Sequence, residues 1–229
     1  MCKTLFVVGT GTDVGKTFVT ALLLKALRQN GRRAAYYKAA MSGNRRDRAG
    51  MLIPGDATYV KKISGIGQSL SSMCPYVYER AYSPHLAARF EGNPVDPDVV
   101  LRGYSALTEQ YEYVTVEGSG GIVCPLRRDG RLLYLADVVR ATGAPSLLVA
   151  DAGLGAINAV VLTAEYMQAR GLRLQGIVLN RFVPGDAICE DNAAVCEQLT
   201  GLPVVARVTA DAKGFPVSPE FLYEARKKV

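Results

Sequence analysis

The stretch Gly9-Thr10-Gly11-Thr12-Asp13-Val14-Gly15-Lys16-Thr17 separates a short apolar run, residues 3–8, from a longer segment of helical pattern that begins at Lys16. The order strand, glycine-rich loop, helix is the context that a phosphate-binding loop requires. Small residues let backbone N–H groups surround an anionic oxygen, and the helix behind them points the positive end of its dipole at the same oxygens. Lys16 adds a positive charge for terminal phosphates, and the Thr17 hydroxyl suits Mg²⁺. We therefore predict a nucleotide-phosphate site built from Gly11 to Thr17.

This loop is one residue longer than the usual pattern. That pattern has four residues between its first glycine and the Gly-Lys-Thr triplet, and Thr10 stands at the position of that glycine. Gly9 lies one residue earlier, so the loop is extended. The additional length leaves room for a second ligand beside the phosphates.

Length and composition limit the possible classes of protein. At 229 residues, one α/β domain spanning 1–229 is expected, and an apolar fraction of 49% excludes a disordered chain. The net charge of +6 suits an anionic substrate or nucleotide. The basic residues are scattered, and their tightest groups are 45–48, 127–128 and 226–228. We therefore expect small-molecule substrates and no nucleic-acid partner.

The cysteines and the apolar runs indicate a cytoplasmic protein. The five cysteines form an odd set without a Cys-x-x-Cys pair, and His85 is the single histidine. A disulfide framework or a zinc site is therefore not expected, and a reducing compartment fits. No signal peptide fits before Gly9, and no apolar run is long enough to span a membrane. We expect no membrane partner.

Short apolar runs alternate with segments of helical pattern along the whole chain. The predicted strands are residues 3–8, 34–38, 113–117, 146–150, 175–180 and 203–207. The predicted helices include residues 16–30, 97–110, 132–142, 186–199 and 220–228, with further helices that begin near 55 and 83 and one that ends near 170. This alternation predicts an α/β fold with a mostly parallel sheet and helices on both faces, a three-layer P-loop NTPase-like architecture.

Polar residues follow several of the predicted strands. Lys38 and Ser42 come after the second strand, Glu117 ends the strand that begins at Tyr113, and Asn180 ends another. Open α/β sheets bind ligands at this edge. Glu117 is the acid expected to help hold Mg²⁺ beside the P-loop. Asp56 begins a helix, where it could also serve only as an N-cap.

Five blocks of sequence together resemble the dethiobiotin synthetase family, the ATP-dependent enzymes that close the ureido ring in biotin synthesis. The resemblance runs from Thr4 to about Val208 and includes the unusual loop length. The blocks are Gly9-Thr10-x-Thr12-x-Val14-Gly15-Lys16-Thr17, Tyr37-Lys38-x-x-x-Ser42-Gly43, Ser83-Pro84-His85-Leu86-Ala87, Val116-Glu117-Gly118-x-Gly120-Gly121 and Gly153-Leu154-Gly155-x-Ile157-Asn158. The departures from the family pattern are Gly11 in place of an acid, Asp13 in place of a longer acid, Ala39 in place of proline and Ser119 in place of alanine.

The resemblance implies a reaction and a role for each matching residue. The reaction converts 7,8-diaminononanoate, CO₂ and ATP into dethiobiotin, ADP and phosphate. The implied catalytic residues are Lys16, Lys38, Thr12 and Ser42, and the implied Mg²⁺ ligands are Thr17, Asp56 and Glu117. Asn180 and Arg207 join the loop residues 11–17 and Glu117 as nucleotide contacts. The substrate contacts are Thr12, Lys38, Ser42, Ser83, Gly118, Gly153, Leu154 and Asn158. In the family the turn at 153–158 comes from a second subunit, which implies a homodimer.

Two other functions compete with this interpretation. A related ATP-dependent amidoligase usually carries a glutamine-hydrolysing domain with a catalytic cysteine, for which this chain is short. A P-loop switch ATPase of the chromosome-partition or septum-positioning type normally carries an additional lysine near the start of the loop, where this chain has residues 9–11. Ser83 also has an alternative interpretation, as a helix cap alone.

Overall fold

A computed structural model describes residues 2–224, which form twelve strands and seven α-helices. The strands are β1 (Lys3–Gly9), β2 (Ala34–Lys38), β3 (Ala40–Met41), β4 (Arg45–Arg46), β5 (Leu52–Ile53), β6 (Tyr76–Val77), β7 (Tyr113–Gly121), β8 (Pro125–Arg128), β9 (Leu132–Tyr134), β10 (Ser146–Asp151), β11 (Leu174–Asn180) and β12 (Val204–Val208). The helices are α1 (Lys16–Gln29), α2 (Gly55–Ser64), α3 (Pro84–Glu91), α4 (Pro97–Gln110), α5 (Leu135–Thr142), α6 (Ala156–Ala169) and α7 (Ala187–Thr200). Short 3₁₀ helices occur at Leu70–Ser72 and Glu220–Tyr223.

Six strands form one parallel sheet in the order β12-β11-β10-β1-β7-β2. Because every strand runs the same way, all six carboxyl ends lie along one edge, where parallel sheets bind ligands. The register places Lys38 beside Glu117 and Asp151 beside Asn180. The polar residues that end the predicted strands therefore meet along this edge.

Helices cover both faces of the sheet. On one face Leu5 and Val7 pack with α1 and α2, and on the other Phe6 and Val8 pack with α3 to α7. Alternate residues of a strand point to opposite faces, so both faces of β1 are apolar. Full burial of one such side chain contributes about 1.5–3 kcal/mol. The prediction of a parallel sheet between two helical layers is confirmed.

Most predicted elements match the observed ones, but the strand predicted at 113–117 continues to Gly121, and two predicted helices also differ. The strand at 34–38 and the helix at 97–110 have the predicted bounds. The helix predicted from Leu132 begins instead at Leu135, because residues 132–134 pair with β8. Asp137 accepts a hydrogen bond from the Tyr134 N–H at 2.9 Å and so fixes the new start. The helix predicted at 220–228 is a 3₁₀ turn as far as Tyr223, and residues 225–228 lie outside the described part.

The irregular segment before α2 contains a small hairpin, formed by β4 and β5. Its base is closed by the buried amide of Asn44, whose Nδ2 donates to the Met41 carbonyl at 3.0 Å and to the Tyr78 carbonyl at 2.8 Å. The Asn44 Oδ1 atom accepts from the Gly55 N–H at 2.8 Å. The hydrogen bonds of one side chain therefore set where α2 begins, directly before Asp56. Between residues 2 and 224, no helix has the length and apolar composition of a membrane span.

Gly176 in β11 offers a test of how closely the sheet edge that carries Asn180 is packed. A Cβ atom at this position would lie 2.5 Å from Val205 Cγ1 and 2.8 Å from the Pro203 carbonyl oxygen. Since backbone yields little, Gly176→Ala is expected to lower the free energy of unfolding by about 1–3 kcal/mol. Urea denaturation measures the loss. Gly214→Ala is the control, because a Cβ there meets nothing within 4 Å; equal midpoints for the two variants would contradict the packing.

Candidate active site

A cleft of about 980 Å³ opens along the carboxyl edge of the sheet. It lies between the P-loop, the residues that follow β2, the first turn of α2, the segment 81–84 and the end of β7. The predicted site residues that line it are Thr12, Asp13, Gly15, Lys16, Thr17, Lys38, Ser42, Asp56, Ser83 and Glu117. The fold therefore brings residues that are far apart in sequence into one polar cavity.

The P-loop joins β1 to α1 through a left-handed glycine. Gly15 has φ 92°, and a Cβ atom on it would lie 1.9 Å from Asn180 Nδ2, so conformation and space both require glycine. The Lys16 ammonium group folds back to donate to the Gly11 carbonyl at 2.6 Å. Lys16, Thr12 and the first turn of α1 all border the cleft.

The Lys16 ammonium lies in an environment that disfavours its charge. Burial lowers its pKa, and the nearby charge of Lys38 lowers it further; Glu117 and Asp56 offset part of the change, and the pKa falls to about 8. An anionic ligand would stabilise the charged form of this group. The buried ammonium of Lys16 therefore favours the binding of an anion in this cleft.

Lys38 and two carboxylates form the centre of the site. The Lys38 Nζ atom donates to Glu117 Oε1 at 2.7 Å and to Asp56 Oδ2 at 2.6 Å. Glu117 is almost completely buried and also accepts from the Thr17 hydroxyl at 2.8 Å and from the Tyr36 hydroxyl at 3.1 Å. Burial opposes the charge of Lys38, but the two carboxylates outweigh it and raise its pKa. The buried charges are thus paired, as burial of charge requires.

Asp56 and Ser83 are not simple helix caps. Pro54 occupies the N-cap position of α2, and the Asp56 carboxylate pairs with Lys38 instead. Ser83 does occupy the N-cap position of α3, but its hydroxyl makes no capping hydrogen bond. It lies 3.0 Å from His85 Nδ1 and faces the cleft. The alternative that each of these side chains serves only to cap its helix is therefore wrong.

The oxygen atoms around Glu117 fit Mg²⁺. One hydroxyl and two carboxylates converge there, and Mg²⁺ prefers oxygen ligands, keeps several waters and shares phosphate oxygens. Within the described residues, no group of three or more His, Cys, Asp and Glu side chains is arranged to hold a metal ion. Two carboxylates suffice for an ion that a nucleotide also holds.

Asn180 lies beneath the P-loop, and one of its polar atoms has no partner. Its Nδ2 atom donates to the Val14 carbonyl at 3.0 Å, while its buried Oδ1 atom accepts no hydrogen bond within residues 2–224. An unpaired buried acceptor is unfavourable, so a ligand N–H would stabilise it. Arg207 lies outside the cleft lining, with its guanidinium 3.1 Å from Glu190 and over the ring of Phe182.

The remaining predicted substrate residues do not line this cleft. Gly118 is buried in β7, and a Cβ on it would meet Leu135 at 2.7 Å. Gly153, Leu154 and Asn158 lie in and after the turn that follows β10, where Leu154 is 97% exposed. Leu154 and Asn158 are therefore exposed to solvent and do not line the cleft of the same chain.

Several residues of the cleft were not predicted from the sequence, among them Tyr59, Tyr82, Cys124 and Arg181. Tyr59 follows Asp56 by three residues, so helical periodicity places the two on one face of α2. Arg181 directly follows Asn180 at the end of β11, and that position was a usable signal. Tyr82 and Cys124 lie in loops, where no periodicity identifies them.

Comparison with known folds finds solved structures of similar architecture. The MinC:MinD cell division protein complex of Aquifex aeolicus superimposes with a TM-score of 0.59 at 13% identity, covering 93% of this chain and 83% of that one. A ParA family ATPase from Chlorobium tepidum TLS gives a TM-score of 0.55 at 13% identity, with 92% and 86% covered. At this identity the likeness concerns the fold alone.

Comparison of sequences is more specific. A family model described as an AAA domain matches residues 3–213. The ATP-dependent dethiobiotin synthetase BioD of Brachyspira hyodysenteriae is 42% identical over 209 residues, which cover 91% of this chain and 92% of that protein. The enzyme of the same name from Clostridium botulinum (strain Okra / Type B1) is 36% identical over the full length of both chains. This chain therefore belongs to the family of ATP-dependent dethiobiotin synthetases.

Proposed function

We propose that the chain is an ATP-dependent carbon–nitrogen ligase that makes dethiobiotin from 7,8-diaminononanoate, CO₂ and ATP, releasing ADP and phosphate. The observation that carries this proposal is the position of Lys38, which faces the P-loop lysine across one cleft and is held by Asp56 and Glu117. Two cations in one cavity suit a reaction that brings anions together. The nucleophile of this reaction is an amine of the substrate, so the protein does not need to supply one.

The chemistry explains why cations matter more than a protein nucleophile. One substrate amine adds to CO₂ and gives a carbamate, an anion and hence a poor electrophile. Transfer of the γ-phosphoryl group to the carbamate oxygen gives a carbamic–phosphoric anhydride and releases ADP. The second amine then attacks the carbonyl carbon, the C–O bond to phosphate breaks, and the ring closes. Stabilisation of accumulating negative charge is therefore the main task of the site.

Four residues would carry that task. Lys16 binds the β- and γ-phosphates and stabilises the charge that moves during transfer. Lys38 neutralises the carbamate and the transferring phosphoryl group. Thr12 and Ser42, which both line the cleft, would donate hydrogen bonds to the carbamate or the γ-phosphate.

Thr17, Asp56 and Glu117 would hold Mg²⁺. The ion, when bound with ATP, screens the phosphate charges and orients the γ-phosphoryl group. The chain contributes the orientation of these oxygens: the Thr17 hydroxyl already lies 2.8 Å from Glu117 Oε1, and Tyr36 holds the other carboxylate oxygen. The fit of this donor set supports the assignment.

The nucleotide would lie along residues 11–17 with its base toward the end of β11. The free Oδ1 of Asn180 suits the exocyclic amino group of adenine, which donates, whereas guanine presents an acceptor at the equivalent position. Arg207 lies on the neighbouring strand, in register with Leu179, and would contribute to the same end of the nucleotide site. This arrangement favours ATP over GTP.

The substrate tail would be bound by a second copy of the chain. The family resemblance gives the turn at 153–158 to the partner subunit, and the outward position of Leu154 and Asn158 agrees with that geometry. Ser83, which lines the cleft, is a further proposed substrate contact of the first subunit, whereas the buried Gly118 is not retained as one. We propose a homodimeric, cytoplasmic enzyme that acts on small molecules and needs no nucleic acid or membrane.

The decisive experiment is a mass-spectrometric assay with ATP, Mg²⁺, bicarbonate and 7,8-diaminononanoate, in which each is omitted in turn. The proposal expects a cyclic urea and one ADP per turnover, and only when all four are present. Lys38→Met should lower kcat by at least about 100-fold, because a preorganised cation is removed from the reacting anions. Arg140→Ala, which removes an exposed arginine outside the cleft, is the control.

Two outcomes of this assay would contradict the proposed reaction. ATP hydrolysis that ignores the diamine would favour the switch-ATPase function, and DNA- and lipid-stimulated turnover would then be measured. Formation of an amide from an added carboxylic acid and ammonia would favour the amidoligase function instead. Full activity of Lys38→Met would leave the ligase assignment standing but remove Lys38 from it.

The pKa of Lys16 predicts how nucleotide affinity varies with pH. The ammonium binds phosphate only when protonated, and its pKa in the free protein is about 8. Affinity for a nonhydrolysable ATP analogue should therefore be constant below pH 8 and decline above it, by up to about tenfold per pH unit. Calorimetry from pH 6.5 to 9.5 measures this affinity. The Lys16→Met variant should bind the analogue weakly, with an affinity that does not fall above pH 8. An identical decline in that variant would assign the titration to another group.

Mixed dimers test the contribution of the partner's turn. Lys38→Met removes the catalytic cation and Asn158→Ala alters the turn, so each variant alone should have little activity. An equal mixture, after subunit exchange, should recover about a quarter of the wild-type activity, because half the dimers then hold one intact site. No recovery despite demonstrated exchange would mean that the cleft and the turn act in one subunit.

A further inference from the structure

Two residues with strained backbone conformations contact each other beside the cleft. Asp13 (φ 60°) and Arg181 (φ 54°) are the non-glycine residues with positive φ in the described chain. They are 168 residues apart in sequence, yet the Arg181 guanidinium donates to the Asp13 carbonyl. Non-glycine residues keep such conformations where the surrounding structure holds them, often at functional sites. The strain is therefore concentrated at a single contact between the P-loop and the end of β11.

The other arm of the Arg181 guanidinium reaches the turn after β10. It pairs with Asp151 Oδ2, and Asp151 Oδ1 accepts from the Gly153 N–H at 3.0 Å. On the opposite side Asn192 donates to the Ala152 and Gly153 carbonyls at 2.9 and 2.8 Å. The beginning of this turn is thus fixed to the protein body by Asn192 and to the P-loop by Arg181.

We propose that Arg181 is a positioning residue that joins the P-loop to the turn at 151–158, so that nucleotide binding orders the turn. The guanidinium is suited to this role because it presents separate N–H donors to two acceptors in a fixed geometry, whereas a lysine ammonium lacks that fork. This inference rests on the proposed function for its consequence: the turn is the proposed contact for the substrate tail. Occupancy of the nucleotide site would then influence how substrate is held.

The physical basis is the peptide orientation in the P-loop. A phosphate-binding loop works by aiming successive N–H groups at one anion, so fixing the Asp13 carbonyl also restrains the neighbouring N–H groups. The Arg181 and Asp151 side chains are 49% and 44% exposed, so an isolated pair would contribute little. The second contact to Asp13 makes the arrangement a network, and the effect of removing Arg181 should appear in ligand binding.

The main variant is Arg181→Asn, because asparagine tolerates the left-handed backbone while it lacks the guanidinium. We expect its Kd for the Mg²⁺ complex of a nonhydrolysable ATP analogue, and its KM for ATP, to rise about tenfold. The kcat should stay within about twofold, since the residue acts through the loop and not on the reacting atoms. The Kd and KM of Arg181→Lys should lie between those of the wild type and Arg181→Asn. Arg181→Lys also serves as the second variant if circular dichroism shows that Arg181→Asn folds poorly.

A mutant cycle with Asp151 tests the link to the turn. Asp151→Ala should give a smaller rise in Kd, and the double variant should match Arg181→Asn alone, because either change removes the same ion pair. In hydrogen exchange, nucleotide should protect amides 153–158 in the wild type and in Arg140→Ala, a control whose arginine pairs with Asp137 at similar exposure. That protection should be lost in Arg181→Asn.

Unchanged Kd in Arg181→Asn, independent effects in the cycle, or exchange at 153–158 that ignores nucleotide in the wild type would each overturn the proposal. A fall in kcat with unchanged Kd would do so as well, by assigning Arg181 to the chemical step. Measurements of Kd and of hydrogen exchange do not depend on whether the protein closes the ureido ring. A protein that binds nucleotide but makes no dethiobiotin would therefore refute the proposed function without deciding this inference.

Discussion

The site depends on one buried carboxylate and the cation beside it. Glu117 lies in the middle of β7, an interior strand, with almost no exposure, and Lys38 at the end of the adjacent strand β2 is its direct neighbour in the sheet register. A single buried charge would be strongly unfavourable, but the pair and the hydroxyl groups of Thr17 and Tyr36 satisfy it. This network holds together the P-loop, the sheet edge and the first turn of α2, since each contributes at least one of its members.

The two lysines of the cleft differ in how strongly their charged forms are stabilised. Lys16 has a lowered pKa and Lys38 a raised one, although both are lysines at the same edge of the sheet. The difference is one of neighbours: within residues 2–224 Lys16 has no carboxylate partner at hydrogen-bond distance, whereas Lys38 has two. The charge of Lys16 is therefore open to an anion, whereas that of Lys38 is held in place by its two carboxylates. Family membership and site geometry agree on a ligase that works by charge stabilisation.

Sequence reasoning predicted the sheet and the cleft because both follow from local patterns. Apolar runs and glycine positions specify strands and the P-loop, and parallel strands necessarily bring Lys38, Glu117 and Asn180 to one edge. The predicted start of α5 was wrong because residues 132–134 pair with β8, and this tertiary contact overrides their helical periodicity. The position of Arg181 after Asn180 indicated the sheet edge, but its partners are a loop carbonyl and a residue of another strand. Patterns along the chain do not reveal contacts of that kind.

The Asn44 amide has a consequence for how this protein can vary. Because it binds the Gly55 N–H and two carbonyls of the protein body, the ends of the β4–β5 hairpin are fixed independently of what lies between them. Lengthening a surface loop whose ends are already joined costs little, since the closure entropy grows only with the logarithm of length. Insertions between residues 46 and 52 would leave Asp56 where Lys38 needs it. The hairpin is thus a place where evolution, or an engineer, can add sequence beside the active site without disturbing it.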